Sequence, residues 1–180
     1  MQANINNTLL TLIDVQEKLT AVMHNRDELV QNLLKLVKGM QLLNVPIIRL
    51  EQNPEKMGRT IPELDRLFRD PPIPKMSFSC CGSVDYMNAI TALDRKNIII
   101  AGIETHVCVY QTAADLAEYG YSVEVVANAT SSRTPINKDI ALAKINSTDG
   151  AGITTIETII FELMRSAEHP AFRDMLKIIK

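Results

Sequence analysis

Short apolar runs alternate with longer amphipathic stretches along the chain, and this alternation predicts strands that are each followed by a helix. The strongest strand signal lies at residues 97–101, which are rich in isoleucine, as expected at the centre of a parallel sheet. The strongest helix signal lies at residues 27–43, where leucine and methionine recur on one helical face. The pattern predicts one α/β domain over residues 1–180, a three-layer αβα fold with a doubly wound, mostly parallel sheet.

Weaker signals of the same two kinds complete the predicted fold. Further strands are expected at residues 9–15, 45–50, 75–79, 122–127 and 153–155. Further helices are expected at residues 84–93, 106–119, 135–147, 156–165 and 170–180. Ser83 is suited to cap the first of these helices, and Gly120 is suited to end the second.

Residues 51–74 break the alternation, because this stretch holds five prolines and many charges. We expect an irregular connection with one short helix at residues 62–68, which begins at a proline. A long, proline-stiffened connection inside a compact domain is often part of a functional site, and the alternative is an ordinary surface loop.

Polar side chains at the ends of predicted strands are the first candidates for chemistry, because doubly wound folds bind ligands outside the C-terminal strand ends. Asp14 lies near the end of an apolar strand and is suited to act as a general base, or to cap the strand exit. Lys75 stands alone beside apolar residues, and either points into the same cleft or is solvated. Gln16 and Gln52 are possible substrate-binding residues, although most glutamines simply face solvent.

Cys108 follows the strongest strand and lies in the first turn of the helix predicted to begin at His106. The helix dipole favours an anion at this end, so we expect the thiol to ionise below its free pKa of about 8.5. The alternative is a buried cysteine that only packs. If Asp14 and Lys75 meet Cys108 at one cleft, the three form a nucleophile with a base and an orienting cation.

A cysteine–histidine dyad and a redox pair are weaker interpretations of the same region. His106 and Cys108 are two residues apart, so on a helix they point to different sides. Cys80 and Cys81 are adjacent and lack the spacing of a redox motif, which favours packing.

Composition narrows the class of partner. Of the 180 residues, 46% are hydrophobic and 22% are charged, which is typical of a globular protein. The net charge of -2 lacks the overall positive charge that is typical of nucleic-acid-binding proteins. No apolar run approaches the roughly 20 residues that cross a membrane, and no secretory signal is recognised at the start. Three cysteines favour reduced thiols and a cytoplasmic location.

Three stretches resemble the isochorismatase-like cysteine hydrolases, a family that includes nicotinamidases and N-carbamoylsarcosine amidases. They are LLTLIDVQEKL, PKMSFSCC, and residues 101–133 with the sequence AGIETHVCVYQTAADLAEYGYSVEVVANATSSR. Within the family the chain is most similar to the isochorismatase-domain-containing group, through LEQNPEKMGRTIPEL and the C-terminal ITTIETIIFELMRSAEHPAFRDMLKIIK. The resemblance implies a catalytic triad of Asp14, Lys75 and Cys108.

The resemblance also implies a cis peptide bond between Ile103 and Glu104, an oxyanion hole formed by the Glu104 and Cys108 amides, and a homo-oligomer. It implies neither a cofactor nor a metal, since the stretch that corresponds to the nicotinamidase metal ligands, residues 51–58, has no histidine. Family members that cleave a vinyl ether typically lack the nucleophilic cysteine, whereas this chain has Cys108. The resemblance therefore implies hydrolysis of a C–N bond, amide or carbamoyl, in a small-molecule substrate through a thioester. The alternatives are a binding or scaffold protein without turnover, and an isochorismate-type vinyl-ether hydrolase.

Overall fold

The computed structural model describes residues 3–180, in which strands and helices alternate as the hydrophobic pattern predicts. The strands are β1 (Thr8–Ile13), β2 (Ile47–Gln52), β3 (Ile73–Lys75), β4 (Asn97–Ile103), β5 (Ser122–Ser131) and β6 (Ala151–Thr154). The α-helices are α1 (Glu17–Thr20), α2 (Arg26–Leu42), α3 (Pro54–Met57), α4 (Pro62–Asp65), α5 (Val84–Leu93), α6 (Tyr110–Glu118), α7 (Pro135–Asn146), α8 (Ile156–Met164) and α9 (Phe172–Ile179).

The six strands form one sheet in the order β3-β2-β1-β4-β5-β6, and every neighbouring pair is parallel. The chain winds outward in one direction from β1 to β3 and in the other from β4 to β6. Between β1 and β4 the strand order reverses, and this is where doubly wound folds open a crevice for ligands. The predicted three-layer α/β class is therefore confirmed.

Alternate side chains of each central strand enter two separate cores. Leu10 and Leu12 pack in the core under α2, α8 and α9. Leu9 and Ile13 pack in the core under α5, α6 and α7. All six residues of β1 are buried, as expected for a strand covered by helices on both faces.

The third strand differs from its predicted position. The sequence predicts a strand at residues 75–79, but β3 ends at Lys75 and residues 76–79 follow as irregular chain. Pro74 is accommodated because β3 is an edge strand, where one face of the backbone needs no partner. Lys75 therefore lies at the C-terminal edge of the sheet.

The chain after β4 also differs from the prediction. The strand runs to Ile103, two residues beyond the predicted end, and includes Gly102 with a φ of 117°. A Cβ at Gly102 would collide with the carbonyl oxygen of Ile13, so the two central strands need glycine there. The next turn, Thr105–Val109, is π-helical, with the Val109 amide donating to the Glu104 carbonyl at 3.2 Å, and α6 begins only after it.

The remaining differences concern the lengths of elements and two short helices that were not predicted. β5 continues four residues past its predicted end at residue 127, and the short helices α1 and α3 have no counterpart in the prediction. Of the helices within residues 3–180, none has the length and apolar character that crossing a bilayer requires.

Candidate active site

Asp14 lies directly after β1, at the point where the strand order reverses. Its side chain is fully buried, and its φ of 53° turns the chain sharply out of the strand. Aspartate tolerates this left-handed conformation better than most residues. Its Oδ2 accepts a hydrogen bond from Lys75 Nζ at 2.7 Å. Its Oδ1 is buried and accepts no hydrogen bond of normal geometry within residues 3–180, while the Cys108 thiol and the Gln52 backbone interact with the carboxyl group and lower its pKa.

Lys75 reaches this carboxylate from the edge of the sheet. Its side chain is fully buried, and its ammonium donates to four oxygens. The two shorter contacts, both 2.7 Å, go to Asp14 Oδ2 and Gln52 Oε1. The two longer ones go to the carbonyl oxygens of Ser77 at 3.2 Å and Phe78 at 3.1 Å. The irregular chain after β3 therefore wraps around the ammonium.

Burial and the attraction between the two groups shift the pKa values of both Asp14 and Lys75. Burial raises the pKa of the Asp14 carboxyl above its ordinary value of 3.8, and the Lys75 ammonium counteracts part of that rise. Burial is the largest single influence and lowers the pKa of Lys75, but the interactions with Asp14, Cys108 and Cys80 together outweigh it, so the net shift is upward. The 2.7 Å contact between Lys75 Nζ and Asp14 Oδ2 stabilises the carboxylate–ammonium form of the pair against the cost of burial.

Cys108 lies in the π-helical turn after β4, on the other side of the crevice. The residue is only 6% exposed, so it is almost entirely shielded from solvent. Its thiol interacts with the Asp14 carboxyl and with the Lys75 ammonium, and each of them shifts the pKa of the thiol. The structure therefore brings the three predicted residues together, although they are far apart in the sequence. Single-turn π-helical insertions occur often at functional sites.

The expected low pKa of the Cys108 thiol is wrong. Burial, and after it the negative charge of Asp14, raise this pKa from 9.0 to about 12, while Lys75 opposes the rise. The first-turn position at the start of a helix does not compensate for the loss of water. In the resting protein the thiol is protonated beside a carboxylate, so it needs a base to become a nucleophile.

Gln16 and Gln52 are both held by hydrogen bonds within the chain. Gln16 is buried, and its Nε2 donates to the carbonyl oxygens of Gln52 at 3.0 Å and Gly58 at 2.7 Å. Its Oε1 accepts from the Gln52 amide at 2.7 Å. These contacts fasten the segment after β2 to the end of β1. Direct contact of either glutamine with a substrate stays a prediction.

Glu104 and Arg133 form an ion pair at the rim of the crevice. Arg133 donates to Glu104 Oε2 through its Nε at 3.0 Å and through its backbone amide at 3.3 Å. The peptide bond between Ile103 and Glu104 is cis. The pair ties the chain after β5 to the turn that carries Cys108.

The imidazole of His106 forms its hydrogen bond with Ser132 and not with Cys108. Its Nδ1 contacts Ser132 Oγ at 2.9 Å, which agrees with the weak case for a cysteine–histidine dyad. Cys80 is fully buried in the core under α5 to α7, and burial raises the pKa of its thiol strongly. Burial also raises the pKa of Cys81, to about 11. Among residues 3–180, no three His, Cys, Asp or Glu side chains are grouped as a metal site would require.

Sequence reasoning missed the groups that hold Lys75. The carbonyl oxygens of Ser77 and Phe78 are main-chain atoms, which every residue type has, so no sequence signal reports them. The role of the buried Glu51 carboxylate, at the end of a predicted strand, was not predicted either. It accepts from the Thr60 amide at 2.6 Å and from the Thr60 hydroxyl at 2.7 Å, and so closes the loop after β2. A carboxylate within an apolar strand was the available signal.

Two solved structures share this fold over nearly the whole chain. The MAR1 ribonuclease of Caenorhabditis elegans has a TM-score of 0.93 and 32% identity, covering 99% of this chain and 92% of its own. YcaC of Escherichia coli, described as an octameric hydrolase of unknown specificity, has a TM-score of 0.89 and 26% identity, covering 98% and 95%.

Sequence comparison identifies the family of this chain. The secreted isochorismatase effector Isc1 of Phytophthora sojae is 35% identical, over 97% of this chain and 85% of its own. Isochorismatase domain-containing protein 2A of Mus musculus is 35% identical, over 97% and 83%. The isochorismatase domain model matches residues 8–158. With its all-parallel sheet and the resemblance found in its motifs both confirmed, the chain belongs to the isochorismatase family.

Proposed function

We propose that the protein is a cysteine-dependent hydrolase that cleaves a C–N bond, amide or carbamoyl, in a small molecule. The observation that carries this proposal is the meeting of a protonated Cys108 thiol with the buried Asp14–Lys75 pair. Membership of the isochorismatase family, with a hydrolase among its similar structures, supports the general class.

The first half of the reaction forms a thioester. Asp14 takes the thiol proton as the Cys108 sulfur attacks the carbonyl carbon, so a full thiolate need not exist at rest. The amides of Glu104 and Cys108 stabilise the oxyanion by donating hydrogen bonds to it. The proton on Asp14 then passes to the nitrogen of the leaving amine, the C–N bond breaks, and the acyl group stays on sulfur.

The second half releases the acyl group. Asp14 takes a proton from water as the water oxygen attacks the thioester carbon. The C–S bond breaks, the sulfur recovers its proton from Asp14, and the acid or carbamate leaves. Lys75 keeps its proton throughout, because its ammonium is held by four oxygens and its pKa is raised. Its task is to orient Asp14 and to balance the developing negative charge.

Three other functions remain as rivals. A binding or scaffold protein would keep the crevice without turnover, and an isochorismate-type vinyl-ether hydrolase would not need the thiol. The ribonuclease name of the similar C. elegans structure adds RNA as a substrate class. The chain's net charge of -2 disfavours RNA, since phosphate binding relies on clustered basic residues.

The test is a panel of small amides, N-carbamoyl compounds, isochorismate and a short RNA, assayed with wild type, Cys108→Ala and the matched control Cys81→Ala. We expect an amide or carbamoyl compound to be hydrolysed, Cys108→Ala to lose about a thousandfold or more in kcat, and Cys81→Ala to stay near wild type. Full activity in Cys108→Ala would contradict the proposal, as would cleavage of RNA alone. A thermal shift without product would favour a binding protein.

We further propose that the protein works as a homo-oligomer in the cytoplasm. The octameric state of YcaC supports assembly, as do the apolar side chains of Met76 and Phe78, which are 71% and 55% exposed beside the site. The three cysteines are free thiols, which suits a reducing compartment, although the similar Isc1 is named as secreted. Light scattering with Phe78→Glu tests the assembly, and fractionation of the native cell tests the location. A monomeric wild type or recovery outside the cell would contradict these proposals.

A further inference from the structure

The Lys75 ammonium has no proton left for a substrate. It carries three protons, and four oxygens already surround it. The two at 2.7 Å are a carboxylate oxygen of Asp14 and the amide oxygen of Gln52. Asp14 and Gln52 therefore share the strongest interactions of one cation, the first as an anion and the second as a neutral group.

The orientation of the Gln52 amide is fixed from both ends. Its Nε2 donates to the Met76 carbonyl at 2.8 Å, which turns Oε1 toward Lys75. The reverse orientation would place an NH2 group against the ammonium and a carbonyl oxygen against another carbonyl. Gln16 fixes the backbone of the same residue, since it bonds both the amide and the carbonyl of Gln52. Gln52 is thus a rigid neutral acceptor.

Resting on the proposed function, we propose that Gln52 is a positioning residue that shares the Lys75 ammonium with Asp14 and so sets how much positive charge reaches the Cys108 sulfur. A neutral oxygen holds the cation in place and leaves most of its charge to stabilise a thiolate. A carboxylate at the same position would cancel that charge. A residue without an acceptor would leave the ammonium to Asp14 alone and its field less compensated.

No other ionisable group that shifts the pKa of Lys75 changes how its ammonium is shared between Asp14 and Gln52 near neutral pH. Asp14, Cys80 and Cys108 are the groups that shift the pKa of Lys75 electrostatically, from β1, from the turn before α5 and from the turn after β4. Cys80 is fully buried and its pKa is strongly raised, so its thiol stays neutral near neutral pH. A charge introduced at Gln52 therefore acts on Asp14, Lys75 and Cys108.

The experiment measures the rate at which iodoacetamide alkylates Cys108, quantified on the isolated peptide so that Cys80 and Cys81 are counted separately. At about pH 8.5 the rate follows the thiolate fraction. We expect Gln52→Glu to slow alkylation about tenfold and Gln52→Met to speed it about two- to threefold. Gln41→Glu is the matched control, since exposed Gln41 also donates to a carbonyl, that of Leu67, and we expect no change there.

Opposite changes in the alkylation rate of Gln52→Glu and Gln52→Met distinguish an electrostatic role of Gln52 from a packing role. The proposal is overturned if both Gln52 variants slow alkylation equally, or if neither differs from Gln41→Glu. If Gln52→Glu does not fold, Gln52→Met and the shortened amide Gln52→Asn decide, and both must alkylate faster than wild type. Alkylation needs no substrate, so a protein that shows the expected order but hydrolyses no amide would refute the proposed function alone.

Discussion

Two ion pairs lie at the C-terminal edge of the sheet, and they differ in their access to water. Both side chains of the Asp14–Lys75 pair are 0% exposed, whereas Arg133 in the Glu104–Arg133 pair is 59% exposed and Glu104 is 14% exposed. Two apolar residues of similar size are often at least as stable as a buried ion pair, because removing two charges from water is costly. We therefore propose that the buried pair serves chemistry, while the rim pair connects two chain segments.

The largest expected difference between the pairs is in stability. Lys75→Met leaves the Asp14 carboxylate buried without its cation, and we expect it to lower the free energy of unfolding by about 3–5 kcal/mol. Denaturant titration measures this loss. Adding Asp14→Asn to Lys75→Met removes the stranded charge, so the double variant should recover most of the stability. A loss below about 1 kcal/mol in Lys75→Met would mean that water reaches the pair.

The pH dependence of stability sharpens the comparison. The folded pKa of Lys75 lies above its ordinary 10.5, so the folded state holds a proton that the unfolded chain releases. The contribution of this group is complete below pH 10.5 and is lost as the pH rises through the folded pKa. We expect the unfolding free energy of wild type to fall more steeply above pH 10.5 than that of the Asp14→Asn, Lys75→Met double variant. Equal slopes would contradict the raised pKa.

Cys108 adds to the same trend at lower pH. Its pKa is raised from 9.0 to about 12, so its contribution to stability is complete below pH 9.0 and is lost above it. Cys108→Ser should therefore weaken the fall between pH 9 and pH 12, the interval between its ordinary and folded values. Stability measured across this interval in both proteins is the check, and an unchanged slope in Cys108→Ser would argue against a buried, protonated thiol.

The smallest effect is expected at the rim. Arg133→Met removes the cation of a pair that is open to solvent, and we expect a loss of less than about 1 kcal/mol, smaller still at high salt. Denaturant titration at low and high ionic strength measures it. A loss as large as that of Lys75→Met, or one that salt does not reduce, would abolish the distinction between the two pairs.

The order and type of the main elements could be predicted from the hydrophobic pattern, because both faces of the sheet are covered and the central strands β1 and β4 are apolar runs. Asp14 could be singled out because a carboxylate is costly in such a run. The register of β3 could not be predicted, since Pro74 is acceptable only on an edge strand and the strand order was not yet known. The direction of the Cys108 pKa depends on burial, which follows from the assembled fold.

The central claim is that the Cys108 sulfur becomes covalently acylated during turnover. The most direct measurement is to quench the protein in acid while it hydrolyses an amide from the panel, and to weigh its peptides by mass spectrometry. The account predicts an added acyl mass on the peptide that contains Cys108, removable by hydroxylamine, and none in Asp14→Asn. Turnover with an unmodified Cys108 peptide, or with the acyl group on Cys80 or Cys81, would contradict it.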